Sequence, residues 1–324
     1  MNTYHRKHLR LLRLALLRAS GSRKAARAAR WFSETAHVAL GINNLEALMY
    51  DTFTKRYKEQ DPRTVFAHLG WRNDAGETWE TPLQRLAEKA RPENWDFARA
   101  EFKNPRFNYP ILANFLNYTF IRLQQQGKIK FSADATRACL NTGLQTPEGK
   151  DIYATFYKNQ SAVEKGQPDW SLFGYFDAYS SKVRDFEPLP DIATYIDDPG
   201  ELVYDHRYEF EVDYRHILGD NIDRLPSVLQ GNSQLARVAV EGAINQLKER
   251  LKRNYKLAVP HWYNERVQLL LPLSITDDQI ADVALVAEKD TARKKYMIRT
   301  VLSMDMAYLD ARIICAPDRE WLNP

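Results

Sequence analysis

The stretch NYPILANFLNYTFIRLQQQGKI, residues 108–129, fixes one element and limits what can surround it. Leu112, Phe115, Leu116, Phe120 and Leu123 recur at helical spacing, Pro110 suits a first turn and Gly127 a stop, so the stretch predicts an amphipathic helix. Three strand-like runs follow it, around 129–145, 151–158 and 170–179. A second helical pattern runs from Ser233 to about Tyr255, with Val240, Ile244, Leu247 and Leu251 as its buried stripe. Lys248, Arg250, Lys252, Arg253 and Lys256 crowd its C-terminal end, where the macrodipole favours cations. The chain closes with VQLLLPLSI, ADVALVAE and KYMIRTVLSMDMAYLDARIICAP, apolar and β-branched runs that read as central strands.

Residues 43–59 and 81–90 read as further helices around a short aromatic segment, FAHLGW. This order of elements predicts α+β, a central and mostly antiparallel sheet with flanking helices, rather than a doubly wound sheet. A Pro- and Asp-rich loop at 186–201 offers a subdomain boundary inside a domain spanning 41–324. RYEFEVDY (207–214) alternates strictly: Glu209, Glu211 and Asp213 on one face read as a solvated surface in preference to metal ligands.

Charge enters because it is unevenly spread. Net charge is only +4, too little to imply nucleic-acid binding, yet residues 6–30 carry Arg6, Lys7, Arg10, Arg13, Arg18, Arg23, Lys24, Arg27 and Arg30 before the first acid, Glu34. Residues 1–40 therefore read as a basic helical arm. It would bind phosphate backbones, lie on anionic lipid or a protein partner, or pack on the body. Two cysteines, Cys139 and Cys315, make neither a disulfide framework nor a zinc site, and both lie in strand-like runs; a reducing cytoplasm suits them. No apolar run reaches the roughly 18 residues of a membrane span.

The hairpin RACLNTGLQTPEGKDIYATFYKNQ places Asn141-Thr142-Gly143, poor strand formers, inside its first strand. With Gly149 in the left-handed position of the turn, Thr146 opposes Lys150, Gly143 opposes Tyr153 and Asn141 opposes Thr155. Leu140, Thr142, Leu144, Ile152, Ala154 and Phe156 then share an apolar face, and Asn141, Gly143, Gln145, Asp151, Tyr153, Thr155 and Tyr157 a polar one. Either Tyr153 covers the bare backbone of Gly143, or the polar face receives a ligand, with Asn141 supplying donor and acceptor and Tyr153 stacking. The ligand reading requires that this cluster face an accessible concavity.

ILANFLNYTFIRLQQQGKI, CLNTGL, DIYATFYKN, DWSLFGYF, AVPHWY with LLLPL, and MDMAYLDARII followed by PDREWL resemble successive blocks of a bacterial and fungal family, domain of unknown function 3825, from about residue 80 to the C-terminus. The family-like residues are Asn141, Thr142, Gly143, Tyr153, Asn159, Arg122, Arg224, Tyr308 and Arg312. Asp310 stands where the family pattern has Asn, and Cys139-Leu140 where a small residue and Phe are usual. Association of the family with RNA-binding and RNA-cleaving domains implies an RNA-related setting, in RNA processing or defence, with RNA or a nucleotide as partner.

Taken as a strand, MDMAYLDARII points Tyr308, Asp310 and Arg312 to one face. Arg312 or Arg122 would then clamp phosphate, or Asp310 and Arg312 would pair and support the sheet. His261, in VPHWYNER, is more often a structural residue than a catalytic one, though its titration range suits proton transfer. Phosphate-binding glycine loops, nucleophile elbows and His-Glu-x-x-His are missing, and no metal set is read. The first expectation is an RNA- or nucleotide-binding module using Asn141, Thr142, Gly143, Tyr153, Asn159, Arg122, Tyr308 and Arg312. A second is an enzyme of nuclease or phosphotransferase type, with Mg²⁺ as its expected cofactor and His261, Asp305 and Asp310 as proton-transfer candidates. A third is a non-catalytic accessory subunit.

Overall fold

The structure, a computed structural model, describes residues 50–54, 60–69, 81–97, 109–160, 162–316 and 322. Residues 50–324 form one compact unit. The basic arm, with its nine expected nucleic-acid contacts Arg6, Lys7, Arg10, Arg13, Arg18, Arg23, Lys24, Arg27 and Arg30, lies outside the described residues.

The fold is α+β, built on two five-stranded mixed sheets where the sequence suggested one. The first sheet holds β1 (Ala67–His68), β2 (Lys130–Phe131), β3 (Arg137–Gln145), β4 (Asp151–Lys158) and β5 (Trp170–Asp177), in the order β1-β5-β4-β3-β2. The second holds β6 (Glu209–Val212), β7 (Val259–Tyr263), β8 (Arg266–Leu273), β9 (Val283–Asp290) and β10 (Lys295–Leu302), in the order β6-β10-β9-β8-β7. Among these ten strands only β1–β5 and β6–β10 pair parallel. Among the described residues five α-helices accompany them: α1 (Thr81–Lys89), α2 (Pro110–Gln125), α3 (Ala162–Lys165), α4 (Ser233–Arg253) and α5 (Met304–Ala311). No described helix is long and apolar enough to cross a membrane.

The two long helices form where the sequence placed them, each burying one stripe. α2 begins at Pro110, and Lys128 N–H closes it onto Leu123 O through Gly127 at φ +65°. Its Ile111, Leu112, Phe115, Leu116, Phe120 and Leu123 pack into the main core between the sheets. α4 starts on an Asn232 cap, whose side chain accepts from Leu235 N–H. Val240, Ile244, Leu247 and Leu251 lie against Leu269, Leu271, Leu285 and Ile298 of the second sheet, each worth about 1.5–3 kcal/mol of burial. The opposite face of that sheet gives Leu270, Ala284 and Val286 to the main core. Burial on both faces explains why VQLLLPL and VALVA are continuously apolar.

Three expectations are corrected. MDMAYLDA is helix α5, not strand: Met304, Ala307, Tyr308 and Ala311 are its buried side, so Tyr308, Asp310 and Arg312 share no strand face. Cys315 follows that helix in irregular chain, half-buried. Where the helix expected at 43–59 is described, residues 50–54 are non-helical and Thr52 bridges Val65 in parallel. Polar side chains of α2 satisfy that backbone instead: Asn117 Oδ1 accepts from Phe53 N–H at 2.9 Å, and Gln124 bonds both N–H and C=O of Tyr50.

Candidate functional site

The Asn141-Thr142-Gly143 stretch is a β-bulge. Gln145 opposes Asp151 as the turn predicts, but Asn141 opposes Tyr153 and Cys139 opposes Thr155, leaving three residues, 142–144, against Ile152 alone. Each residue of the motif is needed to close this irregularity. Asn141 Oδ1 accepts from Gly143 N–H at 3.0 Å. Thr142 Oγ1 donates to Ile152 O at 2.7 Å and accepts from Leu144 N–H at 3.3 Å. Gly143 takes φ +75°, which L side chains adopt at a cost. The expected cover of Gly143 by Tyr153 is therefore corrected: the nearest side chain to a Cβ on Gly143 is Phe115.

The bulge pushes Gly143 outward while Asn141 and Thr142 stay buried. Asn141 Nδ2 also donates to Asp151 Oδ2 at 3.1 Å and toward Pro190 O at 3.5 Å. Tyr153 sits beside it, packed with Cys139, Val183 and Phe186, and burial together with nearby Asp151 raises the pKa of its hydroxyl.

In front of the bulge runs a groove of two adjoining chambers. The first, about 620 Å³, is lined by Arg91, Glu93, Trp95, Asn141, Asp151, Tyr153, Asp191 and Arg312 among others. The second, about 430 Å³, is lined by Phe115, Thr119, Tyr195, Ile196, Ile313, Ile314 and Cys315 among others. Gly143, Ile192 and Arg312 border both chambers. Their far wall is the chain at 189–196, hung on the end of α2. Gln126 bonds both Thr194 N–H and Thr194 O, Arg122 Nε donates to Thr194 O at 2.7 Å, and Lys128 Nζ donates to Ile192 O at 2.7 Å.

Arg312 is the chief charged group on the saddle. Its guanidinium lies 4.9 Å from the Trp95 ring centroid and 4.6 Å from that of Phe115. Nε and Nη2 fork onto the Glu93 carboxylate, Nη2 at 2.7 Å, which leaves Nη1 without a hydrogen-bond partner among the described residues. The expected Asp310–Arg312 pair is thus replaced by Glu93–Arg312. Trp95 Nε1–H is buried in the groove wall and has no partner among the described residues. Among the described residues, Glu93, Asp151 and Asp191 outnumber Arg91 and Arg312 in the first chamber, so this lining is rich in acceptors and slightly acidic.

Of the residues singled out by sequence, Asn141, Gly143, Tyr153 and Arg312 meet at this groove. The others lie elsewhere. Thr142 is internal to the bulge, and Asn159 Nδ2 bonds Gln167 and Pro168 O in the loop before β5. Arg122 stands behind the wall, over Trp262 at 5.3 Å. Tyr308 is buried edge-on to Phe97, and Arg224 Nη1 donates to Val301 O at 2.7 Å. Asp305 accepts from Ser303 Oγ at the start of α5.

His261 is fully buried on β7 opposite Gln268, whose side chain favours its protonated form, and its Nδ1 lies 3.9 Å from Asp310 Oδ2. That separation is too long for a hydrogen bond, and burial dominates both groups. It pushes His261 down to about 4 and Asp310 up to about 6. Neither lines the groove.

Sequence reasoning missed Glu93, Trp95, Asp191 and the wall at 189–196. One signal was present: Ile192, Tyr195 and Ile196 are large apolar residues in a Pro- and Asp-rich loop, and apolar residues grouped on a surface loop point to a binding surface. A family model described as Domain of unknown function (DUF3825) matches residues 86–321. Searches of curated proteins and of solved structures found no match.

Proposed function

The chain belongs to the DUF3825 family, and from that footing we propose that it binds RNA or nucleotides, seating a base and its ribose in the groove before the bulge. The observation that carries this reading is the convergence of Asn141, Gly143, Tyr153 and Arg312, from three separate stretches of chain, on one concavity of about 620 Å³. Carboxylates of Glu93, Asp151 and Asp191 are acceptors suited to ribose hydroxyls and to the N–H groups of a base edge. Gly143 presents bare backbone, and the Arg312 guanidinium is fixed beside the Trp95 and Phe115 rings, where it can meet a ligand. Two cysteines, Cys139 and Cys315, that form no disulfide with each other are consistent with a cytoplasmic setting for this role.

Several acids in the first chamber make it a poor seat for a triphosphate, so recognition rests on base and sugar more than on charge. An enzyme working through His261 gains no support, because its ring is buried and lines neither chamber. Calorimetric titration of the full chain with the four ribonucleoside 5′-monophosphates tests the reading. Saturable binding of at least one, weakened at least tenfold by Asp191→Ala, is expected. No binding of any of the four, nor of short RNA, overturns it.

A further inference from the structure

We infer that the groove takes two consecutive nucleotide units, with the phosphodiester between them lying over the saddle at Gly143 and Arg312. This rests on the nucleotide-binding reading and extends it from one unit to two. The two chambers differ in chemistry but not in kind: each is within the roughly 300–1,000 Å³ of small-ligand sites. The first is lined by carboxylates, an amide and Trp95; the second by Phe115, Tyr195 and a run of isoleucines, with Thr119 and Tyr195 hydroxyls bonded to each other at 3.3 Å. An acceptor-rich chamber hydrogen-bonds a nucleoside, whereas an apolar one receives a base by its faces.

What joins the chambers decides the class of ligand. Gly143 is exposed and brings no side chain to the saddle, so an extended backbone passes close over the bulge. Among the described residues Arg312 is the only cation bordering both chambers, and with Nε and Nη2 held by Glu93 its Nη1 has no hydrogen-bond partner there. One donor at the crossing matches one phosphodiester. A ligand with its charge at an end would carry that charge toward Glu93, Asp151 and Asp191. The shared chemistry is therefore two nucleosides joined by a single phosphodiester, either as a free dinucleotide or as a segment of single-stranded RNA.

The test compares the full chain's affinity for AMP, CMP, GMP and UMP with that for ApA, CpC, GpG and UpU, and then for the matching hexanucleotides. At least one dinucleoside monophosphate is expected to bind about tenfold or more tightly than its mononucleotide. Ile196→Glu, at a residue 39% exposed on the second chamber, should abolish that advantage while leaving mononucleotide affinity within about twofold. Ile314→Glu, in the same chamber, should do likewise. A hexanucleotide that binds more tightly still identifies RNA as the source, and equal affinity identifies the free dinucleotide; both agree with the inference. Mononucleotides binding as tightly as every dinucleotide, or an advantage untouched by both variants, overturns the two-unit groove and leaves the nucleotide reading standing. Binding of none of the probes overturns both.

Discussion

Replacing Gly143 by alanine is expected to destabilise the protein by about 1–2 kcal/mol, and the structure divides that cost into parts. A residue with a Cβ at φ +75° meets left-handed strain of about 1–2 kcal/mol. The new Cβ would stand 3.3 Å from Phe115 Cζ, tighter than an ordinary contact. Phe115 has little room to yield, because the Arg312 guanidinium lies 4.6 Å from its ring centroid and Trp95 packs at 6.3 Å. That crowding adds up to about 1 kcal/mol. Alanine also restricts the unfolded chain, which returns about 0.4–1 kcal/mol. Gly127 is the control: it has φ +65° and nothing within 4 Å of its would-be Cβ, so Gly127→Ala reports the strain without the contact. Urea denaturation of both variants, read as midpoint shifts at unchanged slope, should show Gly143→Ala the more costly. In a Phe115→Leu background the two costs should become equal. A Gly143→Ala variant as stable as its parent would refute the reading of this residue as the hinge of the bulge.

Asn141→Ala should cost about 1–3 kcal/mol in the same assay, since it strands the Gly143 N–H and removes one of the donors to Asp151; a loss under 0.5 kcal/mol, on the order of a surface substitution, would count against the bulge being amide-closed. Cys139 is fully buried and its thiol is pushed up to about 12, so a thiol reagent should modify Cys315 but not Cys139 in the native protein, as mass spectrometry of digests would show. The buried pair gives a pH test. Asp310, raised to about 6, is protonated in the folded chain before the unfolded one, so its contribution is present at low pH and is lost as pH rises through the folded value. His261, lowered to about 4, is protonated first in the unfolded chain, so stability is lost as pH falls toward the folded value. Between about pH 4 and 6 the two slopes oppose and nearly cancel. Asp310→Asn should therefore lose stability on acidification across that window relative to the parent, and His261→Gln should gain it; parallel pH profiles for all three proteins would contradict the assignment.

The parts of the fold legible in the sequence are those written in local period. α2 and α4 announce themselves through apolar spacing, a starting Pro or Asn and, for α2, a closing Gly; the hairpin announces itself through its turn. α5 was misread although its signal was there: Met304, Ala307, Tyr308 and Ala311 follow helical spacing behind Ser303. Its short length and the β-branched stretch before it masked that period. The bulge shifts pairing by residues whose partners lie across the ladder, so no single strand records it, although a Gly inside a strand pattern is the usual trace. The candidate site was legible only in pieces. Asn141, Gly143, Tyr153 and Arg312 were singled out one by one, but their meeting depends on Glu93 and on the wall at 189–196, joined to them by contacts between distant parts of the chain.

The wall of the groove is not a strand. It is suspended from α2 by the amide of Gln126, the guanidinium of Arg122 and the ammonium of Lys128, each reaching a peptide group of Ile192 or Thr194. Aperture is thereby set largely apart from architecture: Gln126 and Lys128 hold the wall and are expected to set its gap from the bulge, whereas Arg122 also lies over Trp262 of β7. Relatives sharing this scaffold can therefore diverge in what they admit through changes on one turn of one helix and the residues just beyond it.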